Sequence, residues 1–361
     1  MLIQKKIIIL CSFIFAMFEL HAQIHDSAAI FEVVNVFPKP LITQGDAGTQ
    51  NNRYGFEGGR VIKLKETYYI FTTEMSGLPI WGKTRLSAWK SGDGIKWSRV
   101  STIFESSGEF EGMDTHAALW SPMPTFDNEK DRWVLTYVCY RSKPNTDKDW
   151  FRNYDGRIAL AISSKKGIDG ICGPYKELGS VMEPDTLKPL LGLMGVDSFF
   201  PYQANGRWMA FYGSSPEWNG LAEAPKLQGP WKRLLTACVV SEHTENPIVQ
   251  KLKNNLYVAF FDGCGVYQKF GYLLSVDGIH WSKPIIIDLD KNPDKWWGLS
   301  RTPLGFTEEA DGTYILFFTA YNKNFYQIPG IWQAKSDTVF DGFFASVGRI
   351  TLKLISNKPN N

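Results

Sequence analysis

The sequence predicts an all-β protein, namely a five-bladed β-propeller with four antiparallel strands in each blade. A unit made of an apolar strand, a short polar turn and an aromatic-rich strand occurs five times along the 361 residues. The units recur at a spacing of roughly 50 to 75 residues, which is typical of propeller blades. Long stretches with helical periodicity are missing, and a β-sandwich would not show this recurrence.

The five repeated units are read as hairpins, each formed by the innermost strand of a blade and the strand beside it. Their turns contain Lys, Asn, Asp, Glu and Ala residues, most of which suit tight hairpin connections. The hairpins cover residues 59–71, 123–137, 198–212, 247–261 and 303–318.

A second repeated element follows some of the hairpins. Residues 91–97 and 275–281 share the pattern Ser-x-Asp-Gly-Ile-x-Trp, and residues 173–175 and 229–231 read Gly-Pro-Tyr and Gly-Pro-Trp. Each element is interpreted as a third strand, a turn, and a fourth strand led by an aromatic residue. Together with the hairpin this completes four short strands per blade.

The first 22 residues are predicted to be a secretory signal peptide rather than part of the fold. Two lysines precede a short apolar run at residues 7–18, and Ala22 is a small residue at the expected cleavage point. The run is shorter than the roughly 20 apolar residues that a membrane helix needs. We therefore expect an exported protein, periplasmic or extracellular, with a single propeller domain at residues 23–361 and no membrane span in the mature chain.

Composition narrows the possible partners. The formal net charge of +2, with scattered Lys and Arg, argues against nucleic acid as a partner. The 13 Trp, 15 Tyr and 24 Phe residues favour a carbohydrate partner, because aromatic faces stack on sugar rings, although large β-cores and protein-binding surfaces use them too. We expect no cofactor and no metal site other than a structural ion of the kind that such channels hold.

The cysteines give no sign of a metal site. Four remain after residue 22, namely Cys139, Cys172, Cys238 and Cys264, and none forms a CxxC pair. An exported protein can oxidise four cysteines in three alternative pairings, and buried free thiols are the other interpretation.

The candidate site follows from the propeller geometry. Inner strands line the central channel, so residues that directly precede them converge although they are far apart in sequence. A solvated loop position explains any single acidic residue there, but three in register with the repeat indicate a shared site. The residues at these positions are Glu57 in blade 1, His116 and Trp120 in blade 2, Asp197 in blade 3, Glu245 in blade 4 and Arg301 in blade 5.

These motifs resemble those of glycoside hydrolase family 43. Residues 196–200 and 206–214, Val-Asp-Ser-Phe-Phe and Gly-Arg-Trp-Met-Ala-Phe-Tyr-Gly-Ser, resemble its third-blade motif. Glu245-Asn246-Pro247 resembles its fourth-blade Glu-Gly/Ala-Pro, and Trp120-Ser121-Pro122 resembles its second-blade Trp-Ala-Pro. The Ser-x-Asp-Gly and Gly-Pro-Trp elements are also similar to those of the related five-bladed families 32, 68, 117 and 130. The resemblance spans residues 56–321.

The resemblance implies a role for each acidic residue. Glu245 would be the general acid, and Asp197 would orient it and tune its pKa. The general base of the family is an Asp on the first blade, where this sequence has Glu57 followed by two glycines. Asp46, in the preceding loop, is therefore the competing base.

The residue types also suit glycosidic cleavage on chemical grounds. The reaction needs one carboxyl group to protonate the leaving oxygen and a second to assist attack at the anomeric carbon. A neighbouring Asp anion keeps the acid protonated near neutral pH. Arg301 can hold hydroxyl groups or a carboxylate of the substrate, or set the charge of a neighbouring carboxylate. His116 can bind hydroxyl groups, carry a proton, ligate a metal or serve a structural role.

Long insertions between blades are predicted to wall the pocket and to favour exo-action on chain ends of plant or algal oligo- or polysaccharides. Trp297 and Trp218 lie in such insertions and are the predicted sugar-stacking residues, with packing between blades as the alternative. The sequence therefore predicts a glycoside hydrolase.

Three other functions fit the same fold. Sialidases carry related Asp repeats but require an arginine triad, for which only Arg301 and Arg60 are suitably placed. A phosphorylase or transferase would require its own co-substrate, and a non-catalytic sugar-binding propeller would not need Asp197 and Glu245.

Overall fold

The computed structural model describes residues 30–144, 153–184, 195–214, 218–241, 244–264, 269–289, 292 and 295–355. For residues 214, 218 and 235–241 it describes the backbone alone. The predicted signal peptide, residues 1–22, lies outside the described residues.

The chain folds into five four-stranded antiparallel sheets, which confirms the five-bladed propeller. Blade 1 contains β2 (Phe56–Leu64), β3 (Thr67–Met75), β4 (Thr84–Ser91) and β5 (Ser98–Glu105). Blade 2 contains β6 (Ala118–Asp127), β7 (Arg132–Ser142), β8 (Asn153–Lys166) and β9 (Tyr175–Met182). Blade 3 contains β10 (Ser198–Ala204), β11 (Arg207–Ser214), β12 (Trp218–Ala224) and β13 (Lys232–Ser241).

The last two blades complete the ring. Blade 4 contains β14 (Thr244–Lys251), β15 (Tyr257–Gly263), β16 (Phe270–Ser275) and β17 (Ile285–Ile287). Blade 5 contains β18 (Leu299–Glu308), β19 (Tyr314–Tyr321) and β20 (Ala345–Ile355), with β1 (Ile30–Val36) outermost. Short 3-10 turns are formed by Ile168–Cys172, Phe325–Gln327, Ile331–Gln333 and Asp337–Phe340. All five predicted hairpins are present, with β2, β6, β10, β14 and β18 as the inner strands.

The strand β1 closes the ring, and the repeat in the sequence did not reveal it. It pairs antiparallel with β20, so the N-terminal segment supplies the fourth strand of the last blade. Phe31 anchors β1 because its ring packs against Phe260, Tyr272 and Phe306, and its backbone N–H donates to the Tyr272 hydroxyl at 3.0 Å. The contact couples blade 5 to blade 4.

The repeated Ser-x-Asp-Gly-Ile-x-Trp element forms the same turn in blades 1 and 4. The Ser91 hydroxyl accepts from the backbone N–H of Gly94 at 2.9 Å, and Asp93 accepts from the N–H groups of Ile95 and Lys96 at 2.8 Å each. Ser275 and Asp277 make the equivalent bonds in blade 4. The predicted turn between third and fourth strands is therefore confirmed.

Most of the described large aromatic side chains fill the space between blades rather than a binding surface. The largest fully buried side chains include Trp89, Tyr54, Tyr137, Phe211 and Phe260. Burial of such rings supplies the main stabilising contact between adjacent sheets. The aromatic content therefore mainly reflects the propeller core.

The three cysteines whose side chains are described form no disulfide with one another. Cys139, Cys172 and Cys264 are free thiols. In the part of the chain that the structure describes, no helix has the length and apolar character needed to cross a membrane.

Truncating the ring closure will destabilise the propeller. We expect Phe31→Ala to lower the free energy of unfolding by about 3–5 kcal/mol, because a buried ring is lost at the junction of two blades. Val34→Ala, on the same strand but 56% exposed, is the control and is expected to change it by less than about 0.5 kcal/mol. Urea unfolding followed by tryptophan fluorescence measures both; equal effects would contradict a closing role for Phe31.

Candidate active site

A bulge interrupts four of the five inner strands, just after the residue predicted to face the site in blades 1, 2 and 4 and around Arg301 itself in blade 5. A bulge leaves one residue unpaired and re-aims the neighbouring side chain. The pairing register shifts between Glu57 and Gly59, Trp120 and Met123, Glu245 and Ile248, and Ser300 and Pro303. At the channel mouth, these bulges therefore change the directions of the side chains from those of a regular strand.

Gly58 shows why glycine follows the acidic residue in blade 1. Its φ of +65° is a left-handed conformation, and a Cβ atom there would lie 2.3 Å from the Ser121 hydroxyl oxygen. Asn246, which follows Glu245, and Ser121 itself also have positive φ values of 53° and 51°. Blades 1, 2 and 4 therefore each have a residue with positive φ inside the bulge of the inner strand.

Arg301 is the centre of the site. Its Nε lies 2.7 Å from Glu57 Oε1 and its Nη2 lies 2.6 Å from Glu245 Oε2, while its Nη1 donates to Asp262. The three carboxylates thus bind three nitrogens of one guanidinium group, across blades 1, 4 and 5. Glu245 and Arg301 keep 17% and 21% of their side-chain surface exposed, so a ligand can reach them.

Charge and burial oppose each other in this cluster. Burial raises the pKa of Glu57 and of Asp262 above their ordinary values, and the charge of Glu245 raises both further, although Arg301 opposes the shift. Burial tends to lower the pKa of Arg301, but the three carboxylates raise it well above its ordinary value. One cation cannot neutralise three anions, so the cluster favours retention of a proton among its carboxyl groups.

Asp197 belongs to the same mouth of the channel. It directly precedes β10 and is half-buried, and its backbone N–H donates to the Gly213 carbonyl at 3.0 Å. Burial raises the pKa of the Tyr140 phenol well above its ordinary value, and the charges of Asp197, Glu245 and Glu57 add to that shift. A single buried phenol therefore lies within electrostatic range of all three predicted acidic residues.

Tyr321 holds the Glu57 carboxylate in place, and Trp81 supports Tyr321. The Tyr321 hydroxyl donates to Glu57 Oε2 at 3.2 Å and lies 3.6 Å from Met75 Sδ. The Trp81 side chain in turn hydrogen-bonds to Tyr321. Glu57 therefore has an oriented carboxylate with Oε1 on Arg301 and Oε2 on Tyr321.

Asp262 is a member of the cluster that sequence reasoning missed. It lies near the end of β15, directly opposite Glu245 in the β14–β15 pair. The prediction considered only residues at the starts of inner strands, whereas antiparallel pairing brings the end of the second strand to the same edge. An acidic residue opposite Glu245, in the sequence Phe-Phe-Asp-Gly, was the available signal.

His116 lies apart from this cluster. Its Nε2 is 3.1 Å from Glu177 Oε1 on β9, the outermost strand of blade 2, and Glu177 also accepts from the Tyr137 hydroxyl. These contacts place His116 beside the outermost strand of blade 2. The half-buried Trp120 packs against two apolar clusters and donates its indole N–H to the Trp81 carbonyl at 3.0 Å.

The two tryptophans predicted to stack on sugar differ in what the structure describes. Trp297 is only 3% exposed and packs edge-on against Phe318, so it serves the alternative role of packing within the core. The Trp218 side chain lies outside the described residues. Asp46, the competing base, is exposed and accepts the backbone N–H of Thr43 at 2.8 Å within its own loop.

The segment between β19 and β20 supplies exposed rings that the sequence analysis did not select. Tyr326 and Trp332 are 37% and 40% exposed, with ring centroids 5.5 Å apart. Both pack on the buried Phe325. The Tyr326 phenol lies within electrostatic range of Arg301 and its three carboxylates, so this segment borders the cluster.

Within the described ranges, no group of three or more His, Cys, Asp and Glu side chains is arranged to hold a metal ion. The carboxylates of the cluster are instead held by Arg301.

Comparisons with known proteins identify the fold. No protein-family model and no curated protein matches the sequence. The structure is similar to Zg3597, a family 117 glycoside hydrolase of the marine bacterium Zobellia galactanivorans, with a TM-score of 0.60 and 13% identity over 90% of each chain. It is similar to BT0996 in an RGII complex, with a TM-score of 0.61 and 14% identity over 95% of this protein and 96% of that one.

A third solved structure is 1,3Gal43A, an exo-beta-1,3-galactanase from Clostridium thermocellum. It has a TM-score of 0.56 and 15% identity over 90% of this protein and 65% of that one. The resemblance to five-bladed glycoside hydrolases is thus confirmed at the level of the fold. At 13–15% identity these likenesses show the fold alone, and the chemistry of this protein depends on its own side chains.

The raised pKa of Glu57 gives the site a measurable pH signature. Above the ordinary pKa of 4.5, the folded protein binds more protons at Glu57 than the unfolded chain does. The free energy of unfolding therefore falls as the pH rises from 4.5 through the raised pKa. We expect Glu57→Gln to flatten this decline in urea unfolding measured over a pH series. The exposed Asp46→Asn is the control, and a Glu57→Gln slope equal to that of the wild type would contradict the shift.

Proposed function

We propose that this protein is a glycoside hydrolase that uses the carboxyl groups around Arg301. The observation that supports the proposal most directly is the contact of Glu57, Glu245 and Asp262 with one guanidinium group at a solvent-accessible channel mouth. Glycosidic cleavage needs two carboxyl groups with opposite protonation, and no cofactor enters that reaction. In a cluster with more anions than cations, one carboxyl group tends to keep its proton while another stays ionised, as the reaction requires.

The family resemblance assigns the acid to Glu245 and the base to Glu57. In this assignment Glu245 donates a proton to the leaving oxygen, Glu57 accepts a proton from the attacking water, and Asp197 orients Glu245. The fixed carboxylate of Glu57, between Arg301 and Tyr321, suits a group that must position water.

The raised pKa of Glu57 supports the reverse assignment as a second form of the same mechanism. A buried carboxyl group that retains its proton is suited to donate it, whereas Glu245 is more exposed and rests on Arg301. Both forms use the same two residues. They differ in which residue donates the proton. Replacing the proton donor makes the hydrolysis rate depend strongly on the leaving group, and this dependence can be measured for a Glu57 variant and for a Glu245 variant.

Charge favours water over phosphate as the second substrate. A phosphate dianion that entered the site would approach several carboxylates held by a single guanidinium group, and like charges at close range are costly. Hydrolysis is therefore proposed in preference to phosphorolysis. A binding-only propeller would bury these carboxylates at an energetic cost without using them.

We propose exo-action on plant or algal oligo- or polysaccharides. The structural neighbours include an exo-beta-1,3-galactanase and a protein in an RGII complex. The exposed rings of Tyr326 and Trp332 beside the cluster are suited to stack on a terminal sugar. The β19–β20 segment walls one side of the mouth, which favours the end of a polysaccharide over its interior.

Export is part of the proposal, because an extracellular or periplasmic enzyme reaches such substrates directly. The charged start, the apolar run and Ala22 support cleavage before Gln23. Expression with the native start, followed by N-terminal mass spectrometry of the exported protein, is expected to give a mature form that begins at Gln23. A protein that retains Met1 in the cell would contradict export.

Removal of the acid is expected to cost most where the leaving group is poor. We expect Glu245→Gln to lower the hydrolysis rate of oligosaccharides by at least ~10²-fold, because proton donation contributes about that much, and to spare substrates with activated aryl leaving groups. Screening on aryl glycosides and on plant and algal oligosaccharides measures both classes. Glu223→Gln, on β12 and paired with Arg207, is the matched control.

Glu57→Gln distinguishes the two assignments. As the base, Glu57 is needed with every leaving group, so its variant loses activity on both substrate classes. As the acid, its variant spares the activated substrates and Glu245→Gln does not. Full activity in both variants, or a wild-type protein inactive on every glycoside tested, would overturn the proposed function.

A further inference from the structure

A second cavity lies at the other end of the central channel. It has a volume of about 380 Å³ and is lined by the distal halves of β2, β14 and β18 together with Phe200 of β10. Lys63 and Lys251 lie six residues beyond Glu57 and Glu245 on the same strands. At a rise of roughly 3.3 Å per residue, these two lysines lie about 20 Å beyond the catalytic cluster, and Arg60, three residues beyond Glu57, lies about 10 Å from it. The cavity is therefore a different site.

Positive charge dominates this cavity. Its charged lining consists of Arg60, Lys63, Lys65, Lys251, Lys253 and Glu308. Glu308 lies 3.4 Å from Lys253, and Glu309, just outside, lies 2.6 Å from Lys63. Among the described residues, the remaining three cations have no carboxylate partner. Five cations face two carboxylates, which leaves an excess of three positive charges.

Arg60 is the deepest of the unpaired cations. Its Nη1 donates to the Pro124 carbonyl at 3.1 Å and to the Thr125 hydroxyl at 2.8 Å, and its guanidinium carbon lies 4.7 Å from the Phe200 ring centroid. In the described part of the protein, its Nε and Nη2 donate to no protein acceptor. A guanidinium group fixed on one side, with two donors left over, matches the geometry with which arginine binds an oxyanion.

The burial of Arg60 is not offset by a counter-charge. Arg60 is half-buried, and this burial lowers the pKa of its guanidinium group to about 10, because it disfavours the charged form. Lys65 and Lys251, at the exposed rim, add two positive charges and bring no carboxylate with them. An anion bound in the cavity would offset this effect of burial and contact all three cations.

We propose that this cavity is an oxyanion-binding site, formed by Arg60, Lys65 and Lys251, for a sulfate, phosphate or carboxylate group. Its volume is within the range of small-molecule pockets, so the group can be a free ion or can be carried by a sugar. The phenyl ring of Phe200 beside Arg60 provides an apolar wall for the body of such a ligand. The proposal does not depend on the hydrolase mechanism.

Calorimetric titration tests the site directly. Sodium sulfate, sodium phosphate, galacturonate and uncharged galactose are titrated into the full-length folded protein at constant ionic strength set with sodium chloride. We expect at least one of the oxyanions to bind saturably and in preference to chloride. The paired variant Lys65→Gln/Lys251→Gln is expected to weaken that binding at least ~10-fold, because charge-assisted hydrogen bonds are lost.

Two further variants separate the site from general surface charge. Lys226→Gln/Lys353→Gln removes the same charge from exposed positions outside the cavity and is expected to leave the dissociation constant unchanged. Arg60→Gln, checked for folding by circular dichroism, is expected to weaken binding at least as much as the rim pair. Galacturonate binding without galactose binding indicates an anion carried by a sugar, and binding of inorganic ions alone indicates a free oxyanion.

Two results of the titration would overturn the proposed oxyanion site. A wild-type protein that binds no oxyanion better than chloride has no such site. Equal losses in the rim pair and the remote control pair would show that only the overall charge matters. Since neither variant pair touches Glu57, Glu245 or Arg301, hydrolysis rates are expected to stay unchanged whichever way the titration falls.

Discussion

The guanidinium group of Arg301 organises the channel mouth, because three carboxylates that the sequence keeps far apart meet on its nitrogens. The contact depends on the radial arrangement, in which the first strands of blades 1, 4 and 5 point to one axis. The bulges at the starts of these strands turn the side chains toward it. Without the guanidinium group, burial of these carboxylates would be strongly unfavourable.

A second buried carboxylate shows what a purely structural ion cluster looks like in the same blade. Glu74 is fully buried and pairs with Arg85 and Arg99, and Trp89 donates its indole N–H to it at 3.0 Å. Burial tends to raise its pKa, but the two arginines lower it below the ordinary value. Glu57 has the opposite balance of anions and cations and the opposite pKa shift. The ratio of charges thus separates a stabilising cluster from one that can exchange a proton.

The two ends of the channel carry charge of opposite sign, although the whole protein is nearly neutral with a formal charge of +2. Carboxylates outnumber cations around Arg301, and cations outnumber carboxylates around Arg60. Focused fields of this kind act on ligands at each mouth separately, since the rim residue Lys251 lies about 20 Å beyond Glu245, farther than the screening length of physiological salt. A net charge taken over the sequence conceals this separation.

The blades, their hairpins and the turn that Ser91 and Asp93 form could be predicted from the sequence, because each depends on residues close together along the polypeptide. The sequence also located Glu57, Glu245 and Arg301, since their positions follow the same repeat. The folded structure was needed to show that β1 closes the ring, that Asp262 joins the cluster from a second strand, and that His116 and Trp297 lie elsewhere. The position of Asp262 depends on the register of the β14–β15 hairpin. The other outcomes depend on which blades pack together and which side chains the packing covers, and no local pattern encodes contacts between residues so distant in sequence.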